Sequence, residues 1–105
     1  MDSFSQREEG FERAFTQQEE TRFKARARRD RKLGLWAGET LGLSGAALTE
    51  YASALVARGV AGADDEAIVA DLGKALQPHD VSQHRIRRRL AEFEAEALAE
   101  IQSGR

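Results

Sequence analysis

No stretch of this sequence alternates apolar and polar side chains at the period of two that a half-buried strand needs. Its apolar residues recur instead at helical separations, in blocks divided by glycines and by the single proline, Pro78. Over residues 18–40, Phe23, Ala27, Leu33 and Ala37, running on to Leu41 with Trp36 beside them, predict a helix with a broad apolar stripe. The Arg and Lys positions between them are good helix formers and take the solvent side. LGLSG then breaks the pattern, because Gly42 and Gly45 loosen the backbone and Ser44 is placed to cap a second helix. Over residues 44–58, Leu48, Tyr51, Ala52, Leu55 and Val56 form one buried face, and Gly59 and Gly62 end it. A third helix over residues 64–76 turns Ile68, Val69, Leu72 and Leu76 inward, with Asp64 or Asp65 in its first turn and Gln77-Pro78 as its stop. Ser82 caps the last helix, whose seam is Ile86, Leu90, Phe93, Ala97 and Ile101. The expectation is an all-α domain of three or four helices around one core, joined by short loops.

The first seventeen residues differ from this core. Phe4, Phe11 and Phe15 are spaced by seven and four, so they share a face if helical, while Gly10 interrupts an otherwise charged stretch. Held against the bundle these rings are core; released, they are three anchors for a groove on another protein. An isolated helix here is marginal, so its order can depend on a partner.

At 105 residues the chain has room for one core only. Without cysteine it has no disulfide, no thiolate nucleophile and no cysteine-held metal. The start, MDSFSQREEGFERAF, is charged where a secretory signal needs a basic region and an apolar run, and no segment approaches the roughly 18 apolar residues of a membrane span. An uncleaved cytoplasmic protein is expected. The net charge of −2 hides an uneven distribution, with seven basic residues among the eleven from Arg22 to Lys32 and a markedly acidic middle. Such a local cationic surface suits a specific acidic protein at least as well as nucleic acid, and a solvated, salt-bridged face is the plain alternative. Arg85, Arg87, Arg88 and Arg89 form a second basic cluster, suited to a nucleotide phosphate unless acidic neighbours neutralise it.

Catalytic signatures do not emerge. The glycines of LGLWAGETLGLSG lack the spacing and the terminal Lys-Ser/Thr of a phosphate loop, and read as close helix packing. His79 and His84 lie five apart, which misses the four-residue spacing that aligns two metal ligands on a helix. Paired acids such as Glu8-Glu9 and Glu19-Glu20 lack an apolar pocket to separate their pKa values.

The segment FKARARRDRKLGLWAGETLGLSG, residues 23–45, with Tyr51-Ala52 after it and SQHRIRRRL at residues 82–90, resembles the alphaproteobacterial ATPase inhibitor subunit zeta family, formerly a domain of unknown function. The likeness extends through Arg7-Glu8 and the register of Phe4, Phe11, Phe15 and Phe23 to nearly the whole chain. It implies a four-helix bundle, residues 18–105, carrying a mobile, partly helical N-terminal segment, residues 1–17. It further implies a non-enzymatic regulator, attached peripherally to the membrane through its partner, that binds the alpha, beta and gamma subunits of the rotary ATP synthase's catalytic head and blocks ATP hydrolysis. On that resemblance Phe4, Phe11 and Phe15 supply apolar anchorage and Arg7, Glu8, Glu12 and Arg13 polar register. Arg22 and Lys24, in the basic first helix, help to hold the segment at the outside of the enzyme. No cofactor or metal is implied as a requirement, although some members bind nucleotide, so ATP or ADP is a candidate regulatory ligand. The rival readings are a nucleotide-binding helical module without strong inhibition and a small nucleic-acid-binding protein.

Overall fold

In the computed structural model, which describes residues 3–104 and their side chains from Glu12 onward, the chain forms four α-helices. These are α1 (Ser3–Thr40), α2 (Gly45–Val60), α3 (Asp65–Leu76) and α4 (Gln83–Gln102), with a 3₁₀ turn at Gln77–His79. No strand occurs among the described residues. α1 lies along both α2 and α4, and α3 packs chiefly on α4.

Local chemistry sets the boundaries. α1 and α2 each end in a left-handed residue, Gly42 (φ 87°) and Gly62 (φ 106°), where a side chain would be strained. At each, two amides turn back on the last carbonyls: Leu43 N–H bonds to Gly38 and Gly42 N–H to Glu39, Ala63 N–H to Arg58 and Gly62 N–H to Gly59. Asp64 caps α3 by accepting from Ala67 N–H at 2.8 Å, and Ser82 caps α4 by accepting from Arg85 N–H at 3.1 Å. Ser44 stands at the N-cap of α2 with extended backbone but makes no side-chain cap bond, so only its position matches the expectation.

The core joins Leu33 and Ala37 of α1, Leu55 of α2, Ile68, Val69, Leu72 and Leu76 of α3, and Ile86 and Leu90 of α4, with Trp36, Tyr51 and Phe93 packed on its edge. α1 and α2 approach closely because Gly34 faces Ala52; a Cβ there would sit 2.7 Å from the Ala52 Cα. Gly38 likewise leaves room for Leu48, so the glycines of the LGLWAGE segment do serve helix packing.

Two expectations change. The first helix does not begin near Gln18: α1 starts at Ser3 and passes through Gly10 without a break. Phe23 is not core; it is 60% exposed, and Ala27 is only half-buried. At about 100° per residue Phe23 lies some 80° from the face that carries Leu33, turned toward the end of α2, where the chain leaves at Val60 before it can cover the ring.

Candidate functional site

The N-terminal part of α1 runs out beyond the bundle. Every residue from Glu12 to Glu20 is exposed, and the first buried side chain of α1 among those described is Ala25. A helix of 38 residues is about 57 Å long, and the molecule measures 65 × 26 × 22 Å with a radius of gyration of 17.3 Å. A compact chain of this length has about 13 Å, so the elongation is the projecting helix itself.

Of the side chains singled out from the sequence, Glu12, Arg13, Phe15, Arg22 and Lys24 are all exposed on this projection. Phe15 is 57% exposed, an aromatic ring held in water on a helix. At about 100° per residue Phe15 and Arg22 share one face, which continues the direction of Leu33, while Arg13 and Lys24 fall on the opposite face. The five do not converge on one spot; they ring a rod. Phe4, Arg7, Glu8 and Phe11 lie on the helical backbone of α1, with side chains outside those described. Exposed pairs such as Arg22–Glu19, at 3.5 Å, are weak and salt-screened.

The base of the projection is a collar of charge that the sequence had not revealed. Arg29 and Asp30 are 2% and 1% exposed. Arg29 donates twice to Asp30 Oδ1, from Nε at 3.1 Å and Nη2 at 2.9 Å, and forks onto Asp65 at the start of α3 at 3.2 and 2.9 Å. Arg26 donates to the Ala63 carbonyl, Arg28 donates to Glu100 at 3.3 Å, and Lys32 bonds both Glu96 and Glu100 at 2.8 Å. Burial pulls the Arg29 guanidinium down, but the hydrogen bonds and charges of Asp65 and Asp30 outweigh it and leave the group raised. Burial pushes the Asp30 carboxyl up against the opposing pull of Arg29. The hydrogen bonds that Lys32 donates to Glu100 and Glu96 raise it, and the same bond to Glu100 holds that carboxyl below its ordinary 4.5. Much of the basic run therefore ties α1 to α3 and α4. A pattern search that scores apolar periodicity misses Arg29, whose partner Asp65 lies 36 residues away.

The second basic cluster is partly spent in the same way. Arg87 pairs with Glu66 at 2.7 Å and Arg89 with Glu92 at 3.1 Å. Arg89 also lies over Trp36 and Phe93, 5.4 and 4.9 Å from their ring centres. Arg85 and Arg88 are exposed and make no ion pair among the described residues. His79 and His84 are exposed, and no group of three or more metal-ligating side chains occurs among the described residues. No helix among the described residues is long and apolar enough to cross a membrane.

A small helical bundle that presents a long, exposed, charged helix with a bare aromatic ring is built to engage another protein; it belongs to the class of helical interaction modules. The particular family follows from the sequence as a whole. The model of the ATPase inhibitor subunit zeta family matches residues 1–100, and the chain belongs to that family. Its role is accordingly regulatory, an inhibitory subunit acting on the ATP synthase complex, and the chain is not itself an enzyme. Neither a curated protein nor a solved structure matches it.

Proposed function

We propose that this chain binds the catalytic head of the rotary ATP synthase and stops ATP hydrolysis with residues 1–17, a mobile inhibitory segment carried by the bundle of residues 18–105. The observation that supports this reading is the projection of α1, with Phe15 on a stretch where every residue from Glu12 to Glu20 is exposed. Phe4 and Phe11, eleven and four residues before Phe15, share its helical register by spacing, so the three positions suit one apolar contact line on the partner. Inserted between alpha and beta subunits near the gamma subunit, such a rod opposes the closure and rotation that each hydrolytic turnover requires. Arg7, Glu8, Glu12 and Arg13 set its register by charge, and Arg22 and Lys24 hold its base at the outside of the enzyme. The protein then sits on the cytoplasmic side, at the membrane only through its partner.

ATP or ADP as a regulatory ligand finds part of a site. Arg85 and Arg88 beside a hollow of about 290 Å³ on α4 suit a phosphate. The aromatic faces nearby are covered by Arg89, which leaves no stacking slot for a base at that place.

The test is a titration of ATP hydrolysis with the full chain and with Phe15→Ser. An aromatic anchor seated in a pocket is worth about 2–4 kcal/mol, so the half-inhibitory concentration should rise at least about thirtyfold. A value within twofold of the parent chain would remove Phe15 from the mechanism.

A further inference from the structure

Four large apolar side chains are exposed among the described residues, Phe15, Phe23, Val60 and Leu98, and two of them line one groove. Phe23 (60% exposed) on α1 and Val60 (59% exposed) on α2 form its apolar walls and Ala27 and Val56 its floor, while Arg26, Arg28 and the buried Asp30, whose charge Arg29 compensates, also border it. Ala27 and Val56 border two hollows of about 120 and 340 Å³, so the two run into one another along the α1–α2 seam. Phe23, whose spacing predicts a core position, is left bare by the fold.

The charges beside this groove differ from those of the collar. Arg26, Arg28, Arg29 and Lys32 each have an acidic or carbonyl partner within the chain. Lys24 and Arg31 have none among the described residues, although both are exposed. On α1 they fall on one stripe, seven residues apart; Arg31 lines the groove, and Lys24 continues its stripe past Phe23. A largely apolar trough with the unpaired Arg31 on its rim and Lys24 on the same stripe matches a helix whose buried face is apolar and whose flank is acidic.

We infer that the α1–α2 groove is a second docking site, which receives an acidic amphipathic segment of the catalytic head. This inference rests on the proposed function, since it takes its partner from that reading. It gives the bundle a task separate from the rod: Phe23, Val60, Lys24 and Arg31 hold the protein on the enzyme, and residues 1–17 stop it. The two tasks differ in what they change. Loss of docking weakens affinity and leaves the fully bound complex inhibited, whereas loss of the rod removes inhibition at any concentration.

The experiment uses the full chain against the cognate catalytic head, with ATP hydrolysis and direct binding measured together. Arg31→Glu with Ser53→Glu changes two exposed side chains that line the groove and leaves residues 1–17 and Lys24 intact. The expected result is a Kd weakened at least about tenfold, with the residual binding less sensitive to salt and maximal inhibition at saturation unchanged. Phe23→Ser with Val60→Ser should weaken binding likewise without altering the helical circular dichroism. Parent affinity in both double variants would overturn the inference while leaving inhibition by the parent chain, and so the proposed function, intact. Absence of binding and inhibition by the parent chain would instead sink the proposed function. Self-association of the parent chain in sedimentation, abolished by the Phe23 and Val60 changes, with head affinity unmoved, would assign the groove to a second copy and overturn the inference.

Discussion

Replacing Arg29 by methionine removes a guanidinium that is 2% exposed and strands Asp30, which is 1% exposed. Four hydrogen bonds disappear, two to Asp30 and two to Asp65. Their fates differ. Asp65 keeps about half of its side chain in solvent and is rehydrated at modest cost. Asp30 has no such escape: it must stay ionised without a buried partner, take up a proton, or open the junction of α1 with α2 and α3. Breaking a buried pair from one side costs about 3–5 kcal/mol. For 105 residues the unfolding entropy near the midpoint is about 0.22 kcal/mol/K, so a loss of about 4 kcal/mol lowers Tm by about 18 °C. Adding Asp30→Ala to Arg29→Met removes the stranded charge, and the double variant should be more stable than the single one by at least about 1 kcal/mol. The assay is urea and thermal unfolding of the parent chain, both single variants and the double. A single-variant loss below about 1 kcal/mol, or a double variant no more stable than Arg29→Met, would refute the reasoning that Arg29 is there to compensate Asp30.

Two further outcomes follow from the packing and the charge collar. Gly34→Val places a branched side chain where a Cβ already falls 2.7 Å from backbone of α2, so the helices must part; a loss of about 1–3 kcal/mol in urea unfolding is expected, and an unchanged midpoint would contradict the close approach. Glu100 is held below its ordinary 4.5 by the bond from Lys32, so its contribution to stability is present above that value and is lost as pH falls through the lowered one. Lys32 is raised above 10.5, so its contribution is complete below 10.5 and is lost only as pH rises through the raised value. Asp30, raised by burial, works against the acid loss because the folded chain takes up its proton first. Glu100→Gln should therefore flatten the fall in unfolding free energy on acidification below about pH 5; a slope equal to the parent's would show that the Lys32 pair carries no coupling.

The sequence was most informative where one apolar stripe faces one core. Ile68, Val69, Leu72 and Leu76 of α3, and Ile86, Leu90 and Ala97 of α4, are all buried as their spacing predicts, because one face of each helix packs against the bundle. Phe23 shows where the pattern fails. A stripe records a face, and whether a neighbouring helix reaches that height depends on where α2 ends, which is a tertiary fact. The basic run fails in the opposite sense. Arg29 reads as a solvated residue in RFKARARRDRK, yet its partner is Asp65 at the start of α3, and only the folded chain brings them within 2.9 Å. Of the projecting segment, the Phe4, Phe11 and Phe15 spacing was legible, and so was the helix. That it runs without interruption into α1 was not, since Gly10 costs a helix interior only about 1 kcal/mol and does not stop it.

On the proposed function, the bundle carries and residues 1–17 inhibit. Its most direct test is ATP hydrolysis by the cognate membrane-bound ATP synthase titrated with the full chain and with a version beginning at Gln18. Saturable inhibition by the full chain that is absent from the shortened one at every concentration is the predicted result. Equal inhibition by both, or none by either during turnover, would contradict it.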